Sequence, residues 1–154
     1  MDLALRRDPV RHARNTVRRH LAAVGLTADG GPVVKELIDA AALIAGELVS
    51  NACRHTLGPE AMRLTWDSTC LVLDIDDPSP LAPVLVPEDL RGERGGFGLQ
   101  IVESLAEWWC VVPRVEGKTV RVCIGHPQLR VPLGPPSRYR SGSPSCPVMS
   151  RTPA

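Results

Sequence analysis

The sequence predicts an α+β protein, a two-layer sandwich in which helices cover one face of a mainly antiparallel sheet. Two segments with helical apolar spacing come first, and two pairs of short strand-like segments follow. A third helical segment separates the two pairs. Because short turns join the strands within each pair, antiparallel pairing is favoured and the helices collect on one face. We place this domain at residues 1–126 of the 154-residue chain.

The first predicted helix begins after Asp8, a good N-cap, with Pro9 at the first helical position and Gly25 as its stop. One apolar stripe runs along it, formed by Val10, Ala13, Val17, Leu21 and Val24. A basic stripe lies beside it, formed by Arg7, Arg11, Arg14 and Arg18. The basic stripe is either a solvated face or a docking surface for an acidic partner.

The second predicted helix runs from about Val33 to Thr56 and carries polar residues on a face that should pack. Glu47 and Asn51 are four residues apart, so their side chains lie one above the other among apolar neighbours. Buried polar groups cost free energy unless another side chain, a water or a ligand satisfies them. His55 follows on the same face, where capping of the helix end is the simpler interpretation.

The first strand pair, predicted at 61–68 and 70–76, ends in an acidic turn. Leu71, Leu73 and Ile75 alternate toward the core, so Asp77 stands next on the inward side. That carboxylate needs a donor, for which an adenine amine is suitable. Asp77 could instead cap Ser79, and a register slip of one residue would bring Asp76 inward.

A Pro- and Gly-rich segment follows and leads into "RGGFGLQIV", residues 94–102. Gly95, Gly96 and Gly98 precede a helix that starts near Leu99 and is predicted to continue through "ESLAEWW". Glycines allow close backbone approach to an anion, and a helix N-terminus adds free N–H donors. This is the arrangement of a phosphate-binding loop, although glycine-rich helix starts are also common without that function, and the segment is neither a Walker A loop nor a Rossmann turn. A hairpin at 110–115 and 119–124 is predicted to close the domain.

Composition excludes several classes of protein. The net charge is +1, and the basic excess lies in the tail, so non-specific nucleic-acid binding is not indicated. No apolar stretch is long enough to cross a membrane and the start lacks a signal-peptide core, so a cytoplasmic location is expected. The five cysteines lack metal or redox spacing and are interpreted as small buried side chains. The Pro-, Ser- and Arg-rich tail, 127–154, is predicted to be disordered.

Three motifs in order resemble the Bergerat ATP-binding fold of the histidine-kinase-like ATPases. Within it the chain looks most like the single-domain anti-sigma-factor serine kinases of actinobacteria. "ELVSNACRH" resembles their N box, "DPSPLAP" an altered first glycine box, and "GGFGLQIVESLAEWW" the second. "EGKTVRV" resembles the closing strand pair, so the likeness spans about residues 5–125. Prolines stand where the broader pattern has glycines in the first box, which puts nucleotide affinity in question.

The resemblance implies ATP and Mg²⁺ as cofactors. Glu47 would act as the general base toward a hydroxyl or water, and Asn51 would bind Mg²⁺. Asp77 would accept from the adenine amine, with Thr119 near the base. Backbone N–H groups would contact the phosphates at three positions, Gly96, Gly98 and Leu99. Residues 82–95 would form a lid over the nucleotide.

The function implied is an anti-sigma-factor regulator that phosphorylates a serine or threonine of an anti-sigma factor antagonist. Its protein partners would be the sigma factor and the antagonist, and a homodimer is implied by the resemblance alone. One alternative is a non-catalytic module that senses nucleotide and binds a partner. Another is the detached ATPase domain of a histidine kinase, for which no phosphoacceptor helix is visible. The sequence leaves open which sigma factor or antagonist is bound.

Overall fold

A computed structural model describes residues 8–66, 70–81 and 98–125, without the side chain of His55. Its elements in chain order are α1 (Pro9–Ala23), a short 3₁₀ turn (Ala28–Gly30), α2 (Pro32–His55), β1 (Ala61–Trp66), β2 (Cys70–Asp77), α3 (Gly98–Leu105), β3 (Trp108–Pro113) and β4 (Lys118–Gly125). Two predictions lie outside the described residues, the lid at 82–95 and the disordered tail from 127 onward.

Helix α1 begins as its sequence predicts. The Asp8 carboxylate accepts a 2.9 Å hydrogen bond from the backbone N–H of Arg11, which satisfies a donor at the helix start. Ala13, Val17 and Leu21 of the predicted apolar stripe are fully buried where α1 packs against α2, whereas Val10 is half-buried and Val24 is 46% exposed. Gly25 follows the helix with φ of 84°, a backbone conformation that favours glycine. The predicted start and stop of α1 are therefore confirmed.

The four strands form one antiparallel sheet in the order β1-β2-β4-β3. On its inner face Leu71, Leu73 and Ile75 of β2 stand opposite Ile124, Val122 and Val120 of β4. These residues share one core with α1, α2 and α3. The predicted α+β sandwich, with an antiparallel sheet and helices packed on one face, is confirmed.

The third helix is shorter than predicted. It ends at Leu105, and Trp108 and Trp109 begin β3 instead of continuing the helix. The backbone N–H of Glu107 donates to the carbonyl of Cys123, which starts the strand pairing. Trp109 then stands opposite Val122 in the core with 3% of its surface exposed. Strand pairing and burial of an aromatic side chain therefore outweigh continuation of the helix.

The outer face of the sheet holds a disulfide, which corrects the interpretation of the cysteines. Cys70 of β2 and Cys123 of β4 are bonded, with Cα atoms 5.9 Å apart. They lie 53 residues apart in the chain, so local spacing gives no sign of the pair. Cys53, on α2, is a free cysteine.

None of the helices in the described part of the chain is long and apolar enough to cross a membrane.

Candidate functional site

The first part of the site is a contact between the middle of α2 and the first residue of α3. A Cβ added at Gly98 would lie 3.1 Å from Oε2 of Glu47 and 3.5 Å from its Cβ. Glycine therefore allows the start of α3 to pack against the Glu47 side chain. The N-terminal turn of a helix has backbone N–H groups without intrahelical partners. A carboxylate is thus brought beside N–H groups that have no partner within their own helix.

Arg14 of α1 also reaches this contact. One of its guanidinium nitrogens lies 3.5 Å from Oε1 of Glu47, whose side chain is 21% exposed. The guanidinium passes over Gly46, where a Cβ would overlap it. The Nε of Arg14 is buried and has no hydrogen-bond partner among the described residues. Sequence reasoning placed Arg14 in a surface stripe and missed this role, because its partner lies 33 positions away.

Asn51 lies on α2 one turn after Glu47 and is half-buried. The two side chains offer carboxylate and amide oxygens, the ligands that Mg²⁺ takes from proteins. The described residues contain no group of three or more His, Cys, Asp or Glu side chains that could hold a metal. Magnesium bound through nucleotide phosphates needs only one or two protein oxygens, so the amide oxygen of Asn51 fits such an ion and leaves the Glu47 carboxylate beside it.

The second part of the site is a buried ion pair at the end of β2. Asp77 faces inward, and its Oδ2 accepts a 2.7 Å hydrogen bond from the ammonium of Lys118 on β4. The two side chains are 6% and 4% exposed. The other oxygen, Oδ1, accepts from the backbone N–H of Ser79 at 2.9 Å. Asp77 therefore faces inward and also caps Ser79, although the sequence presented these two arrangements as alternatives.

Asp76 points to the outer face of the sheet. It accepts two hydrogen bonds from Arg63, at 2.6 and 2.7 Å, and a third from Thr119 at 2.6 Å. Burial alone would raise the pKa of Asp76, but these hydrogen bonds and the charges of Arg63 and Arg114 hold that pKa below its ordinary value. The register therefore leaves Asp77 as the inward carboxylate.

The structure does not bring Thr119 to Asp77. Strand β4 begins one residue earlier than predicted, at Lys118, and Lys118 stands opposite Asp77. Thr119 stands opposite Asp76 on the other face. The signal was present in the sequence, because Val120 and Val122 alternate inward and leave position 119 outward.

Cys53 links Asp77 to α2 electrostatically. Burial raises the pKa of the Cys53 thiol, and the negative charge of Asp77 raises it further. The negative charge of Asp77 therefore acts on Cys53, which lies in the last turn of α2, after Asn51.

The remaining predicted residues are divided between described and undescribed parts of the chain. Gly98 and Leu99 form the start of α3, and Leu99 packs partly buried against the core. Gly96 lies outside the described residues.

Comparison with known proteins gives a match at the level of a family. A family model described as the histidine kinase-like ATPase domain matches residues 4–124. No curated protein and no solved structure matches the chain.

Proposed function

We propose that this chain, which belongs to the histidine kinase-like ATPase domain family, is an ATP- and Mg²⁺-dependent regulator with protein serine/threonine kinase activity. Its substrate is an anti-sigma factor antagonist, and the same chain binds the sigma factor. The family membership supports ATP binding. The kinase activity and the partners are the proposal.

The packing of Glu47 against Gly98 is the observation that carries the proposal. Phosphate groups bind favourably at a helix N-terminus, where free N–H donors and the helix dipole both favour negative charge. A carboxylate beside that position is suited to take the proton of an attacking hydroxyl. In this role Glu47 is the general base, and Arg14 orients its carboxylate through the ion pair.

Asn51 is the proposed magnesium ligand, with Glu47 one turn before it. When bound, the ion would neutralise charge on the phosphates. Asp77 accepts from the adenine amine in this proposal, since each carboxylate oxygen can accept more than one hydrogen bond. Thr119 has less support in this role, because its hydroxyl already donates to Asp76 on the outer face.

The exposed basic residues of α1 are the proposed contact for an acidic partner. Arg11 and Arg18 are both exposed, whereas Arg14 is engaged with Glu47. Arg7 lies outside the described residues. Surface charge of this kind accelerates association and selects partners more than it adds affinity.

The test is phosphoryl transfer from labelled Mg-ATP to antagonist proteins encoded in the same genome. The wild type should label one of them on serine or threonine, and the Glu47→Gln variant should not. Glu116→Gln, in the exposed turn between β3 and β4, is the matched control and should label as the wild type does. Failure of the wild type to label any antagonist would refute the kinase proposal.

A non-catalytic nucleotide sensor is the second candidate. It is favoured by Pro78 and Pro80, which restrict the backbone next to Asp77. For this function ATP would bind without turnover, and affinity for the partner would depend on the nucleotide. Equal partner affinity with and without Mg-ATP would exclude it.

A further inference from the structure

Lys118 is a buried cation beside the proposed base-binding carboxylate. Its side chain is 4% exposed and lies on the inner face at the start of β4. A buried ammonium is costly unless it is paired and its hydrogens are all used. No sequence motif assigns a role to Lys118.

The hydrogen bonds that the structure describes for Lys118 and Asp77 do not use all of the donor positions of Lys118 or all of the acceptor positions of Asp77. An ammonium has three donors, and among the described residues Lys118 uses one on Oδ2 of Asp77 and one on the carbonyl of Ser79, at 2.8 Å. A carboxylate has about four acceptor positions, and Asp77 uses one for Lys118 and one for the Ser79 N–H. Within the part of the chain that the structure describes, one donor of Lys118 and further acceptor positions of Asp77 therefore remain in a buried location.

We propose that Lys118 recognises the nucleotide base together with Asp77, by donating its third N–H to the ring nitrogen N1 of adenine. The exocyclic amine of adenine is a donor, and the adjacent N1 is an acceptor. Asp77 and Lys118 present the complementary acceptor and donor next to each other. This inference rests on the proposed function and deepens it, because it names the residue that reads the base.

A purely structural role would give the same ion pair. Lys118 ties β4 to the end of β2 and to Ser79, and this alone could explain its position. A loss of stability in a Lys118 variant therefore does not distinguish the structural role from base recognition. The two roles differ in whether the protein detects the N1 atom of a bound base.

The experiment is calorimetric titration of the full chain with three nucleotides in the presence of Mg²⁺. The probes are ATP, 1-deaza-ATP, which lacks the N1 acceptor, and 7-deaza-ATP, which keeps it. We expect 1-deaza-ATP to bind roughly tenfold more weakly than ATP, the effect of losing one hydrogen bond from a charged donor. The affinity for 7-deaza-ATP should stay within about twofold of ATP. Equal affinity for all three would overturn the proposal.

Lys118→Met then assigns the effect to this side chain. The variant should bind ATP and 1-deaza-ATP with nearly equal affinity. Lys35→Met makes the same change at an exposed ion pair with Asp39 and should keep the wild-type ratio. Retained discrimination in folded Lys118→Met would overturn the proposal. If that variant does not fold, the three nucleotides on the wild type still decide whether N1 is read.

Failure of this inference differs from failure of the proposed function. A wild type that binds ATP but ignores the loss of N1 keeps the proposed function and loses only the role of Lys118. A wild type that binds none of the three nucleotides loses both.

Discussion

Gly98, the first residue of α3, lies directly against Glu47 in the middle of α2. A Cβ added at Gly98 would lie 3.1 Å from Oε2 of Glu47, which is closer than a Cβ atom normally approaches a neighbouring atom. The contact joins a helix start to a carboxylate on a different helix, 51 positions apart by their residue numbers. This relationship supports the proposed phosphoryl-transfer site.

The first prediction concerns this contact. Gly98→Ala should displace the Glu47 carboxylate by a few tenths of an ångström and lower the rate of phosphoryl transfer about tenfold, since misplaced catalytic groups lose rate steeply. The change in the free energy of unfolding should stay below about 1 kcal/mol, the glycine–alanine difference of a helix interior, because Gly98 is only the first residue of α3. Transfer assays and urea unfolding measure the two effects. An unchanged rate would show that the Gly98 contact does not position Glu47.

The second prediction concerns Gly46 and Arg14. Alanine at position 46 would overlap the Arg14 guanidinium, although alanine is by itself about 1 kcal/mol better than glycine within a helix. Gly46→Ala should therefore give no gain in the wild type and about 1 kcal/mol of gain in an Arg14→Ala background. Urea unfolding of the four chains measures this coupling. Equal effects in both backgrounds would contradict the packing of Arg14 over Gly46.

The third prediction concerns pH and Asp76. The folded-state pKa of Asp76 is lowered, so its contribution to stability is fully present above the unfolded pKa of about 3.9. That contribution is lost as pH falls from about 3.9 through the lower folded pKa. The difference in unfolding free energy between wild type and Asp76→Asn should therefore shrink over this window.

The control for this pH effect is Asp29→Asn, at an exposed residue of the turn before α2. The difference in the free energy of unfolding between Asp29→Asn and the wild type should change less between pH 7 and pH 3. A pH-independent difference for Asp76→Asn would show that its carboxylate gains nothing from Arg63 in the folded state.

The fourth prediction uses Cys53 as a reporter of Asp77. Asp77→Asn removes a negative charge that raises the pKa of Cys53, so more thiolate should form at pH 8. Alkylation of Cys53 by iodoacetamide should accelerate, measured by mass spectrometry with Cys146 replaced by serine. A slower or unchanged rate would contradict the electrostatic link between the two residues. Cys53→Ser identifies the modified site.

Local patterns predicted most of the fold. The N-cap at Asp8, the stop at Gly25 and the inward position of Asp77 depend on neighbours within a few residues. Such signals are readable from one sequence. The end of α3 could not be predicted from such local signals, because Trp109 is held by strand pairing with Val122.

Contacts between distant parts of the chain were missed. Arg14 and Glu47 are 33 positions apart, Asp77 and Lys118 are 41, and the bonded cysteines are 53. No spacing rule connects such pairs, so the packing of the helices on the sheet is needed to find them. The role of Thr119 was transferred from a resemblance, and strand alternation would have assigned it to the outer face.

Calorimetric titration of Mg-ATP into the wild type, Asn51→Ala and Asp77→Asn tests the central claim most directly. The account predicts saturable binding by the wild type and weaker binding by each variant, because one change removes the magnesium ligand and the other the acceptor for the adenine amine. No binding by the wild type at millimolar nucleotide would contradict it.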